Sequence, residues 1–120
     1  MMQDTFPITR IYSDENGDSH FEDISIPLED AGTIGRLSSK LNANGVIFRE
    51  VEPDYDYDFH NAPQRQYIVL VDGGIEIETS LGEKRKFQAG EVILVEDTTG
   101  KGHRTRNLEK RKRRSVFITI

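Results

Sequence analysis

Short apolar and polar alternations, separated by turn signals, run along most of this chain. Ile8 to Ser13 (ITRIYS) reads as a first strand, and the dense turn signal DENGD follows at 14–18. Asn16-Gly17 within it suits positive φ. His20 to Leu28 (HFEDISIPL) interleaves polar residues with Phe21, Ile24, Ile26 and Leu28, so the two segments predict a hairpin. Residues 28–44 hold no sustained period, and Arg36 to Leu41 (RLSSKL) could form one helical turn. Gly45 to Val51 (GVIFREV) is a strand ended by Pro53. Asp54 to His60 (DYDYDFH) alternates with period 2. That parity puts Tyr55, Tyr57 and Phe59 on one face and the acids with His60 on the other.

Beyond the break at Asn61-Ala62-Pro63, Gln66 to Val71 (QYIVLV) is apolar on both faces and predicts a buried strand. Strands are also predicted at 75–79, 84–87, 92–95, 103–107 and 115–120, with turns at Asp72-Gly73-Gly74, Ser80 to Glu83 and Gln88-Ala89-Gly90. Short strands at this spacing, with almost no helix, indicate an all-β sandwich or barrel.

Composition narrows the picture. At 120 residues the chain is expected to form a single domain over 1–120. The absence of Cys rules out disulfides and thiolate metal sites. No apolar run approaches the roughly 20 residues of a membrane span, and MMQDTFPITR lacks a signal pattern, so a soluble, cytoplasmic protein is expected. The net charge of −5 hides an asymmetry. Residues 101–114 carry eight basic residues against Glu109 alone, leaving 8 of the 16 basic and 20 of the 21 acidic residues in 1–100. The run KRKRR would fit nucleic acid, but an acidic body repels phosphate at long range. The favoured reading is a solvated loop that offsets the body or meets an acidic patch on a second subunit.

Candidate chemistry gathers between Asp54 and Asn107. His60 and His103 flank two predicted hairpins, so a closed barrel could bring both imidazoles to one cavity. His20 falls on a predicted surface strand and reads as structural or exposed. Tyr55 and Tyr57 read either as a cavity rim or as part of an edge strand whose acids discourage aggregation. Arg104 and Arg106 lie opposite His103 by parity, facing solvent or a partner. Gly100 and Gly102 beside Lys101 are weak evidence for an anion-binding loop. No phosphate-binding glycine motif occurs, so no nucleotide cofactor is expected, and nothing marks a nucleophile.

This pattern resembles the cupin superfamily, small β-barrels of jelly-roll type. Of that family's first motif, G-x5-H-x-H-x3/4-E-x6-G, His60 fits the first histidine and Gly73 the closing glycine. Asp54, Ala62 and Gln66 stand in for the opening glycine, second histidine and glutamate. Of the second, G-x5-P-x-G-x2-H-x3-N, Gly90 opens, Glu96 replaces the proline, and His103 and Asn107 keep their spacing after a loop two residues longer. The stretches HFED, DFHNAPQRQY and EDTTGKGHRTR also resemble a group of small bacterial cupins, a likeness that transfers no activity.

The resemblance implies an all-β, cupin-type jelly-roll β-barrel with His60, Gln66 and His103 lining its interior. Strand parity adds Ile68 beside Gln66, and Thr105 and Asn107 beside His103. Cupin metals are typically held by three imidazoles and a carboxylate. This chain keeps two imidazoles, so a divalent metal (Fe, Mn, Zn or Ni) would need Asp58, with Gln66 as the alternative ligand. The expected function is binding of a small-molecule ligand. The alternatives are a metal-dependent dioxygenase or isomerase acting on a small polar acid, and an interaction protein using residues 101–114. Tyr67, Val69 and Val71 point away from any cavity that Gln66 faces. They are expected to be covered by a homodimer partner or, within the chain, by Ile8 to Tyr12. No membrane or nucleic-acid partner is expected.

Overall fold

The computed structural model describes residues 4–120. The first three residues, part of the N-terminal stretch read for a targeting signal, lie outside the described residues. The strands are β1 (Thr5–Ser13), β2 (Ser19–Pro27), β3 (Glu29–Asp30), β4 (Arg36–Leu37), β5 (Gly45–Val51), β6 (Asp56–His60), β7 (Gln66–Leu70), β8 (Ile75–Thr79), β9 (Lys84–Phe87), β10 (Val92–Val95), β11 (His103–Asn107) and β12 (Arg113–Thr119). Among the described residues no helix is long and apolar enough to cross a membrane.

Two sheets face each other as an all-β jelly-roll barrel. The larger has the order β2-β1-β10-β7-β12-β5 and the smaller β6-β11-β8-β9. All pairings within them are antiparallel except β1 with β10. Ile11, Leu70, Ile93 and Val95 from one sheet meet Ile75, Ile77 and Phe87 from the other in the buried core. Each such side chain contributes about 1.5–3 kcal/mol by leaving water.

Three expectations are corrected. The helical turn over 36–41 does not form. Arg36–Leu37 pairs with Glu29–Asp30 instead, and a 3-10 turn, Gly32–Ile34, joins them. Gly32 and Gly35 both adopt positive φ, 72° and 104°, which reverses the chain and leaves no helical run. The last strand starts at Arg113, two residues earlier than expected, so the basic segment runs into the sheet. Finally, Ile8 to Tyr12 does not cover Tyr67, Val69 and Val71. It joins the same sheet beyond β10, so that face stays outward and Val71 remains 54% exposed.

The basic segment is largely neutralised within the chain. Lys101 pairs with Asp18, Arg104 with Asp56, Arg106 with Glu76, Arg111 with Asp72, and both Lys112 and Arg114 with Glu50. Its acidic counterpart is thus the chain's own body.

Candidate functional site

A cavity of about 270 Å³ lies between the sheets. Its polar lining includes His60, His103, Gln66, Thr105 and Arg49, and its apolar lining Ile68, Ile75, Ile77, Val95 and Phe117, with both sheets supplying both kinds. The His60 and His103 ring centroids are 4.7 Å apart. Strand register explains the meeting, because His103 on β11 lies directly opposite His60 on β6.

One irregularity in that ladder decides which neighbours join them. His103 pairs with His60, but Thr105 pairs with Tyr57, so β6 spends one extra residue and forms a bulge. The bulge reverses parity within the strand. Tyr57 and His60 therefore both reach the cavity, and their rings stack at 3.7 Å between centroids. Simple alternation had put Tyr57 on the face opposite His60, and the structure corrects this. Asp58 loses its expected place for the same reason. It is exposed, and its carboxylate accepts from the Phe59 N–H at 2.8 Å rather than entering the cavity. Asn107 is also absent from the cavity wall. It lies at the end of β11, where its Nδ2 donates to the Glu52 carbonyl and its Oδ1 accepts from Arg113 Nε at 2.9 Å.

The hydrogen bonds of the two imidazoles select their tautomers. His60 Nδ1 donates to the Asp58 carbonyl at 2.8 Å, and His103 Nδ1 meets Asp97 Oδ2 at 2.6 Å. Both bonds involve Nδ1, leaving Nε2 as the uncommitted nitrogen of each ring. Burial lowers the His60 pKa below the ordinary imidazole value. Asp97 is fully buried, and its own carbonyl accepts from the Ala62 N–H at 3.1 Å. The loop carrying it packs closely on β6, for a Cβ at Gly102 would overlap the His60 carbonyl. Gly100 approaches the Gly17 backbone in the same way. These glycines serve close packing, a role sequence reading did not assign.

Of the other contributors, Tyr55 was read from sequence as a cavity-rim candidate, and Arg49 and Arg113 were not singled out. Arg49 lies on the cavity wall with its guanidinium 4.5 Å from the Phe117 ring centroid. Its Nε donates to Ser115 Oγ at 3.2 Å. Tyr55 also lines the cavity, with Arg49 at 5.4 Å and Arg113 at 5.6 Å from its ring centroid. Arg113 is only 1% exposed, and neither terminal nitrogen has a hydrogen-bond partner among the described residues. Burial, with the neighbouring Arg49 charge, lowers its pKa to about 10. Keeping it charged there costs roughly 3 kcal/mol relative to water. His20, by contrast, meets Asp14 at 2.6 Å near the surface, away from the cavity.

The donor set does not suit a resident divalent metal. Among the described residues no group of three His, Cys, Asp or Glu side chains could hold an ion. Two imidazoles and the neutral Gln66 amide remain, and the Arg49 guanidinium on the same wall repels a cation.

The class defined here is an all-β barrel with an imidazole pair in an interior cavity. No protein-family model and no curated protein matches the chain. It is similar to several solved structures. The cupin domain of Schizosaccharomyces pombe Cnp3 is 13% identical, with 99% of this chain and 86% of that one covered and a TM-score of 0.47. A Neisseria meningitidis protein is 21% identical, with coverages of 67% and 78% and a TM-score of 0.46. The capsular polysaccharide assembling protein CapF of Staphylococcus aureus is 16% identical, with a TM-score of 0.45. There 78% of this chain spans 29% of the other. These likenesses are distant and say nothing of activity. The all-β assignment stands on the strand order.

Proposed function

We propose that this chain is a small-molecule-binding cupin whose ligand occupies the cavity between its sheets. The observation that carries the reading is the His60–His103 pair in a cavity lined by a few polar and several apolar side chains. Such a lining orients a ligand with a few polar contacts and buries the rest. At about 270 Å³ the space is smaller than the 300–1,000 Å³ usual for drug-sized ligands, so the ligand is small. Each imidazole keeps its Nε2 free to bond it. Ring-proton shifts of His60 and His103 during a screen of small organic compounds test this. Binding compounds should move both resonances and lose affinity in Ile68→Phe, which narrows the cavity. Unmoved resonances across the screen, or affinity unchanged in that variant, would refute it.

A catalytic reading is favoured by one contact, the buried His103–Asp97 bond. A carboxylate on Nδ1 fixes the ring's orientation and leaves Nε2 free, which is the arrangement of a general base. The metal-dependent version has less support, because the carboxylate it needs is missing from the cavity wall.

We also infer a homodimer through the outer face of β5, β12 and β7. Phe48 is 81% exposed there and Val46 57%, with Val71 alongside. The rim carries Glu50 and Arg114, 3.0 Å apart, so both signs are present and a second copy can satisfy it across a two-fold axis. Sedimentation at micromolar concentration should give the dimer mass. A monomer that persists at ten times that concentration would exclude this.

A further inference from the structure

The positive charges around the cavity bear on the kind of ligand it takes. Fifteen residues line it and none is an acid, whereas Arg49 is among them. Nε of Arg49 is committed to Ser115, and only a long 3.5 Å bond runs from Nη1 to the Tyr55 hydroxyl. The Nη edge is the planar fork that grips a carboxylate. A second guanidinium, Arg113, sits on the same tyrosine ring with both Nη atoms buried and unpartnered among the described residues. An interior that keeps two cations near one ring, with no acid on the cavity wall, is set up for a negative charge from outside the chain.

We propose that the cavity selects a small organic carboxylate, with Arg49 holding the charged group and Arg113 supplying a buried positive charge behind Tyr55. The apolar lining residues Ile68, Ile77, Val95 and Phe117 take the organic body, which an inorganic anion would leave without a partner. Asp97 is the acid that could oppose this, but its carboxylate is turned to His103 Nδ1. This inference rests on the cavity being a ligand site, and the test separates the two.

The probes are benzoate and cyclohexanecarboxylate, each titrated against its own carboxamide. The readout is the His60 and His103 ring resonances at pH 7.5 and low salt. Each carboxylate should bind at least about tenfold more tightly than its amide, the scale of one charge-assisted hydrogen bond. Arg49→Met should abolish that preference, and Arg49→Lys should keep part of it, which guards against a variant that merely misfolds. Arg113→Met should lower carboxylate affinity by at least about threefold and leave the amides unchanged. Amides that bind as tightly as the acids, with both resonances still shifting, would overturn the anion inference and leave the cavity reading intact. If neither acid nor amide moves the resonances, both fall. A preference untouched by Arg113→Met removes Arg113 from the proposal.

Discussion

On the outer face of the four-stranded sheet, Arg104 and Arg106 each meet a carboxylate. Between the sheets, Arg113 meets none. The first pair needs little help, since Arg104 and Asp56 are 40% and 44% exposed and water would solvate either alone. Arg113 is the residue water cannot reach, yet it bonds through Nε to the neutral Asn107 and leaves both Nη atoms bare among the described residues. Asp56 lies at the surface, but Glu76, the partner of Arg106, is itself buried, so among the described residues it is Arg113 alone that is buried without a carboxylate.

The comparison breaks most readily at Arg113. Replacing a buried charge that lacks a carboxylate by an apolar side chain of similar length is often neutral or stabilising. Arg113→Met should therefore raise unfolding free energy by about 1–3 kcal/mol in urea melts, even after loss of the Asn107 bond. A loss of more than about 1 kcal/mol would make Arg113 a structural anchor and erase the contrast.

At the other extreme, the exposed pair should hardly matter. Arg104 holds Asp56 below the ordinary carboxylate range through two hydrogen bonds, but both side chains are screened by water. A double-mutant cycle with Arg104→Gln and Asp56→Asn should give a coupling of roughly 0.2–1 kcal/mol that shrinks in high salt. A larger, salt-insensitive coupling would mean the surface pair does what its interior counterpart does not.

The smallest effect concerns pH. Burial lowers the His60 pKa, so the unfolded chain binds this proton more readily than the folded one. The stability linked to it is intact above the ordinary imidazole value of about 6.5 and declines as pH falls from there towards the folded value. Wild type should thus lose more stability between pH 7.5 and 5.5 than His60→Gln. Equal losses would place His60 in a solvent-like setting, outside the contrast between interior and surface. Asp14, Asp18, Asp56 and Glu96, all lowered by their partners, lose their contributions only in more acidic solution.

Much of this arrangement was legible in the residues themselves. Alternation with period 2 and the turns at Asn16-Gly17 and Gly82 specify the hairpins β1–β2 and β8–β9, while the turns at Gly73 and Gly90 carry the chain between the sheets; strand pleat and positive φ are local properties. The two histidines could be expected to meet, and His60, Gln66, Ile68, His103 and Thr105 do line one cavity. What alternation could not supply was the bulge between Tyr57 and His60. It depends on how β6 registers against β11, and one extra residue exchanges which side chains face inward. Asp58 left the cavity and Tyr57 entered it for that reason alone. Arg113 shows the same limit in energetic form. In the run KRKRR it looks like its neighbours, and only its pairing with Val51 on β5 turns it inward while Arg114, one residue on, reaches Glu50 at the surface. Charge is a property of the residue, but the cost of that charge belongs to the place where the sheet puts it.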